Sequence, residues 1–148
     1  MIPSRASKAR GLTVVELVIS MALLTIVMLI AYPNFQRLSI NGNLRTAARD
    51  LVADFSALRN RAIAENTTFD LTFSGCTYTC PGLPNGAKSP AEVAGDISIA
   101  SAPATAITFF SRGTLSQPGS VVLTNSRGST ATVSFSLSGR TYVQFYMQ

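Results

Sequence analysis

Hydrophobic and polar positions divide the chain into three regimes. Residues 12–31 are apolar on every side with Glu16 as the only charge, and a helix of that length rises roughly 30 Å, one hydrocarbon core. That stretch predicts a membrane-spanning helix. From Leu44 the pattern becomes one-sided. Leu44, Ala48, Leu51, Phe55, Leu58 and Ala62 recur every three or four positions, with Ala47, Val52 and Ile63 widening the stripe, as a helix facing a sheet requires. Arg45, Arg49, Asp50, Asp54, Arg59 and Arg61 fall mostly off the stripe and are expected to form a solvated face with weak ion pairs. Pro33 is expected to kink or break the helix, and Asn41-Gly42-Asn43 to loosen or bend it.

After Asn66 the period shortens to two. Phe69, Leu71 and Phe73 alternate with Asp70 and Thr72, which predicts a half-buried strand. Residues 75–95 are rich in Gly, Pro, Ser and Asn and read as a long loop. Further strands are expected at 97–101, 107–111, 121–125, 130–137 and 140–146, separated by Gln117-Pro118-Gly119, Ser126-Arg127-Gly128 and Ser138-Gly139. The last two turns suit tight hairpins. The fold class is therefore α+β: a long N-terminal helix, transmembrane in its first half and amphipathic in its second, packed on a mostly antiparallel β-sheet.

Charge adds a direction to this pattern. Arg5, Lys8 and Arg10 precede the apolar run without an acid among them, so the positive-inside bias keeps this end in the cytoplasm and sends the remainder outward. Gly11 is the small residue at the charge boundary and stands before the apolar core, where a secretory signal peptide would place its cleavage site after it. The apolar segment is expected to survive processing. Glu16 is its anomaly, since an ionised carboxylate in lipid costs on the order of 2.5 kcal/mol or more. The plain alternative is a signal anchor whose Glu lies near the interface.

At 148 residues there is room for an anchor and one modest soluble domain. The net charge of +5 is largely topogenic, because the leader holds three of the twelve basic residues and leaves nine against seven acids. From 97 to 148 the chain has Arg112, Arg127 and Arg140 and no acid. These three are candidate polyanion contacts, with an ordinary solvated surface as the alternative. Cys76 and Cys80 lie in a loop-like context and, once exported, are expected to close a short disulfide loop, free thiols being the other reading. The chain has no His, so a zinc site would lack its usual ligands. No acid-base pair, nucleophile elbow or phosphate-cradling loop is present either, and the chain is expected to be no enzyme and to use no cofactor.

Gly11-Leu12-Thr13-Val14-Val15-Glu16 resembles the signal of type IV prepilins and type II secretion pseudopilins: a basic leader, Gly at the cut, an apolar first mature residue and Glu fifth after it. The resemblance implies a leader (1–11) removed by prepilin peptidase after Gly11, N-methylation of Leu12, a transmembrane and filament-core helix (12–33), and a soluble domain (34–148). Glu16 would then pair with the N-terminal amine of a neighbouring pilin during filament assembly. The implied location is the inner membrane, single-pass, with the soluble domain periplasmic, and later a cell-surface or periplasmic filament.

Three further segments narrow the likeness to the GspH/FimT group. The passage from Leu51 through Phe73 resembles its helix-to-strand junction, Thr108-Phe109-Phe110-Ser111-Arg112-Gly113-Thr114 its Phe-x-x-x-Gly strand and turn, and Leu137-Ser138-Gly139-Arg140-Thr141-Tyr142-Val143 its closing Gly-Arg hairpin. The group contains minor pilins and pseudopilins. Some FimT-like proteins bind DNA through a Gly-Arg-x-Arg sequence; here Gly139 and Arg140 match, whereas Tyr142 stands at the second Arg position. A Tyr there either stacks on an unpaired base or lies on the sheet as an ordinary strand residue. The resemblance implies a minor pilin of a type IV pilus, with DNA as a further partner, or alternatively a structural pseudopilin of type II secretion.

Overall fold

The computed structural model describes residues 13–148. One helix, α1, spans Val14–Ala64, and the chain divides into two compact units, Met1–Arg37 and Leu38–Gln148. Within the first unit the described residues are helical from Val14 onward. Pro33 stands inside the helix and not at its end, as does the Asn41-Gly42-Asn43 step. A single missing N–H leaves the bonds on either side in place. At the second step, Thr46 Oγ1 donates to the Gly42 carbonyl at 3.1 Å.

In the second unit the helix buries the stripe that the sequence predicts. Leu44, Ala47, Ala48, Leu51, Phe55, Leu58 and Ala62 are all buried, Val52 is partly so and Ile63 is exposed. The helix ends as Asn66 takes a φ of 49° and the Thr67 N–H reaches back to the Ala62 carbonyl at 3.1 Å, a left-handed cap that Asn tolerates.

Eight strands follow: β1 (Phe69–Ser74), β2 (Thr77–Thr79), β3 (Ala87–Lys88), β4 (Ser98–Ser101), β5 (Ile107–Phe109), β6 (Gly119–Thr124), β7 (Thr130–Phe135) and β8 (Thr141–Tyr146). All pairings are antiparallel, but they build two four-stranded sheets, ordered β3-β2-β1-β5 and β4-β6-β7-β8, where the sequence suggests one. The division follows from β5. It is short and among the strands pairs only with β1; Leu115, bridged to Phe109, donates its N–H to the Leu137 carbonyl (2.9 Å) just past the end of β7. Such non-local pairings have no signature in periodicity.

Three turns share one design. In Phe110–Thr114, Asn125–Ser129 and Ser136–Arg140 the first residue's carbonyl accepts from a Gly N–H three positions on, and its own N–H donates to the carbonyl one further. The glycines, Gly113, Gly128 and Gly139, have φ of 78°, 80° and 75°, the left-handed conformation such bulged hairpin turns demand.

Residues 75–95 are more ordered than a loop. They hold β2, β3 and a 3-10 helix, Pro90–Glu92, capped by Ser89 in a reciprocal capping box with Glu92. Ser89-Pro-Ala-Glu92 is a legible capping signature. Asp54 ties this segment to the helix, its Oδ2 accepting from the Tyr78 hydroxyl (2.6 Å) and from Lys88 Nζ (2.9 Å), and Arg61 adds a bond to the Gly82 carbonyl. The proposed disulfide loop is corrected here: both cysteines are free, Cys76 exposed and Cys80 buried. β2 lies extended between them, and four extended residues reach about 13 Å, well beyond the roughly 7 Å that a disulfide tolerates between Cα atoms.

Asp54→Ala should therefore cost about 2 kcal/mol, since it orphans a buried phenol and an ammonium together. Chemical denaturation measures it. Tyr78 adds a pH dependence, because burial, and then the hydrogen bond to the Asp54 carboxylate, raise its pKa above the ordinary 10.0. Its contribution to stability is complete below pH 10.0. Above it the unfolded chain releases the phenolic proton while the folded chain keeps it, so stability falls as pH rises. In Tyr78→Phe that part of the alkaline decline should vanish, which denaturation midpoints across the alkaline range would show.

Candidate functional site

The first candidate region is the start of α1. Thr13 precedes the helix, and its Oγ1 accepts from the Glu16 N–H at 3.2 Å, which places Glu16 at the third helical position, where the positive end of the helix dipole favours a carboxylate. The Thr-x-x-Glu spacing was a readable sign of this start. From Val14 to Ile30 every large apolar side chain is more than half exposed, and Glu16 is exposed with them. The hydroxyls in this stretch are satisfied internally, Ser20 donating to the Glu16 carbonyl (2.7 Å) and Thr25 to that of Met21 (2.8 Å). Such a surface requires lipid or other helices around it. By length and composition, α1 is able to cross a membrane, with a mean hydropathy of 2.7 over its most apolar window. Gly11 and Leu12 lie outside the described residues.

The second region is the basic end of the soluble unit. The structure brings Arg112 and Arg140 to neighbouring turns: Arg112 precedes Gly113, Arg140 follows Gly139, and a Cβ on Gly139 would stand 2.7 Å from the Gly113 carbonyl oxygen. Both arginines are exposed. Arg127 is not with them. It sits in the β6–β7 turn, at the other end of β7, about 20 Å of strand away. The three arginines proposed as one surface are thus a pair and an outlier.

Sequence reasoning missed a third arginine here. Arg59 is half-buried, its Nε donates to the Gly113 carbonyl at 2.8 Å, and it packs against Gly139. The expected solvated helix face is corrected at Asp54 and Arg59, which tie the helix to the sheets, and holds in part at Arg61, which is exposed and pairs with Glu65 but also bonds to the loop that carries Gly82. Arg61 donates to the Gly82 carbonyl (2.8 Å) and Glu65 (2.6 Å), and its guanidinium stands 5.4 Å from the Phe69 ring centroid. The Gly113 and Gly82 carbonyls and the Tyr78 and Lys88 side chains that meet these three residues are distant in the chain and invisible to helical spacing.

At the Arg127 end a polar knot forms instead. Asn41 Oδ1 accepts from Asn125 Nδ2 (3.2 Å) and Ser129 Oγ (3.0 Å), and Ser129 Oγ in turn accepts from the Gln148 N–H (3.0 Å). This holds the helix to the β6–β7 turn and the last residue. It is also why the Asn41-Gly42-Asn43 step stays helical.

Two family models match this chain. The model of the type II transport protein GspH covers residues 47–139, from the buried helix stripe to the Gly139 turn, and that of the prokaryotic N-terminal methylation motif covers residues 6–32. The chain belongs to the GspH family. Neither the curated proteins nor the solved structures compared with it yield a match. Membership of the GspH family accounts for the long helix packed with antiparallel sheets. The methylation motif, which includes Gly11, Leu12 and Glu16, implies processing by prepilin peptidase, anchoring in a membrane and assembly with other pilins.

Proposed function

We propose that this GspH-family chain is a minor pilin of a type IV pilus, a non-catalytic subunit anchored in the inner membrane before assembly and built into the filament core afterwards. The observation that carries the reading is the bare apolar helix from Val14 to Ile30 with one carboxylate at its start. Cleavage after Gly11 frees an amine on Leu12, and methylation leaves it cationic. In a bundle of such helices Glu16 meets the amine of a neighbour, and each charge neutralises the other. Removing one member of a buried ion pair typically costs ~3–5 kcal/mol.

Glu16→Ala should leave leader cleavage intact, seen as the mobility shift of the processed chain, and deplete the protein from sheared filaments by about tenfold or more. Normal abundance there would remove Glu16 from assembly.

For the soluble domain we propose DNA as a ligand, held by Arg112 and Arg140 on their adjoining turns. Full-length protein in detergent should retard DNA at low salt, and Arg112→Ala or Arg140→Ala should each flatten the salt dependence by roughly 0.9 in log–log slope. Arg127→Ala, at the far end of the sheet, should change it little. No retardation at low salt would overturn this reading. The match to a type II transport protein favours a second one, a structural pseudopilin of type II secretion. Deleting the gene should then block secretion and leave pili unchanged.

A further inference from the structure

The two sheets end in β3, β5, β4 and β8, and three of these four edges are blunted. β3 has two residues, one of them Lys88. β5 has three, and β4 has four with a shift of register against β6 between Ile99 and Ser101. Short, charged or bulged edges resist pairing with another chain. β8 is the exception: it runs for six residues, Thr141–Tyr146, without a charge, a Pro or a Gly, and follows β7 with no break in register.

The β7–β8 hairpin decides which backbone groups stay on the open side. The Ser136 N–H donates to the Arg140 carbonyl at 2.9 Å. Bonding alternates along an antiparallel ladder, so Tyr142, Gln144 and Tyr146 also bond to β7. Thr141, Val143 and Phe145 turn their N–H and C=O groups outward, where water meets them in the single chain. Among the described residues no other segment pairs with them. Arg45 stands over the Phe145 ring, its guanidinium 5.8 Å from the centroid, on the inner face where Phe145 lies beside Ala131.

We propose that β8 pairs with β8 of a second copy of this chain, antiparallel and centred on Val143. The choice of partner follows from the symmetry of the open positions. Thr141, Val143 and Phe145 are evenly spaced about Val143, so in this register Val143 meets Val143, Thr141 meets Phe145, and every open group of both strands enters the ladder. Each bond gains little over water, and the side chains set opposite one another supply the rest. Thr141 with Phe145 is a β-branched and aromatic pair. On the outer face Tyr142 falls opposite Gln144, and Arg140 opposite Tyr146, a cation beside an exposed ring at both ends. Like charges stay apart. The two Arg140 residues lie about 20 Å from each other along the strands, and the two Phe145 rings that carry Arg45 about 13 Å, each beyond a screening length of about 8–10 Å. A two-fold pair closes on itself, and with the remaining edges blunted the association stops at two copies. The contact is additional to the helix bundle proposed for the filament.

The test is the mass of the full-length protein in detergent across a dilution series, by analytical sedimentation. The protein should pass from two copies to one. Val143→Pro removes an N–H that β7 does not use, so the melting temperature should stay within a few degrees while the dissociation constant rises about tenfold or more. Tyr142→Lys combined with Gln144→Lys sets lysine opposite lysine twice, on side chains exposed to water, and should abolish the pair. Tyr142→Lys combined with Gln144→Glu sets each lysine opposite a glutamate in this register and should restore it. Arg112→Ala should leave pairing unchanged, which separates the edge from the proposed DNA contacts. A single copy at every concentration, masses beyond two copies, or failure of the Lys–Glu combination to restore the pair would each overturn the proposal. So would association indifferent to the edge variants, the result expected if the apolar helices alone hold two copies together.

Discussion

Phe55→Ala should lower the stability of the soluble unit by about 4 kcal/mol and its melting temperature by roughly 15 °C. Phe55 is 2 % exposed, and its ring stands 5.6 Å from that of Phe109 on β5 and 5.3 Å from that of Phe135 on β7. Those two rings belong to different sheets. One helical side chain is thus packed against both layers, and truncating it leaves a cavity at the place where they meet. Large-to-small changes at aromatic core positions cost ~3–5 kcal/mol, and two tilted ring contacts are lost as well. Phe55→Leu, which keeps most of the volume, should cost about 1 kcal/mol. Thermal and denaturant unfolding of both variants measures the difference. Equal losses would mean that the sheets are held together elsewhere.

Gly139→Ala should be nearly as damaging, at about 3 kcal/mol, for a different reason. Its φ of 75° already disfavours a side chain, by roughly 1–2 kcal/mol. A Cβ there would also stand 2.6 Å from Arg59 Nε and 2.7 Å from the Gly113 carbonyl oxygen, and the second contact, being backbone, has no rotamer into which it can retreat. To admit the methyl group, Arg59 must give up its bond to Gly113 or the two turns must part. Gly86→Ala is the matching control, with φ of 71° and nothing within 4 Å. It should show the conformational cost alone, about 1 kcal/mol. Similar losses in the two variants would show that the crowding is relieved at little cost. Because Arg112 adjoins Gly113 and Arg140 adjoins Gly139, Gly139→Ala should also weaken the proposed DNA binding.

Several features were legible from residue order because their physics is local. The all-round apolarity of 14–31 is read from composition and the burial of Leu44, Leu51, Phe55 and Leu58 from side-chain period, and α1 shows both. The Gly turns at Gly128 and Gly139 follow from the lack of a Cβ. The likeness to GspH-type pilins likewise rested on short, contiguous motifs, and the family match bears it out.

Other features were decided by contacts across long separations in the chain. Asp54, Arg59 and Arg61 are charged positions off the apolar stripe, yet each meets a partner 21 to 54 residues away. The Cys76 and Cys80 pair fails for an equally non-local reason. β2 is extended because Tyr78 and Lys88 both bond to Asp54 and β1 pairs with it, and an extended strand keeps its ends apart. Arg112, Arg127 and Arg140 shared only a lack of acids in sequence; hairpin connectivity set two of them together and the third at the opposite end of β7.

By itself, then, the sequence determined the membrane-length helix, its carboxylate, the amphipathic stripe and the prepilin-type start, since each rests on neighbours within a turn or two of chain. Only the tertiary structure decided that the strands form two sheets joined through Phe55, that Arg59 locks two glycine turns, and that β8 is left as the open edge of its sheet. Those depend on which strands pair and in what register, and that choice is made by the packing energy of the whole domain, not by any local stretch.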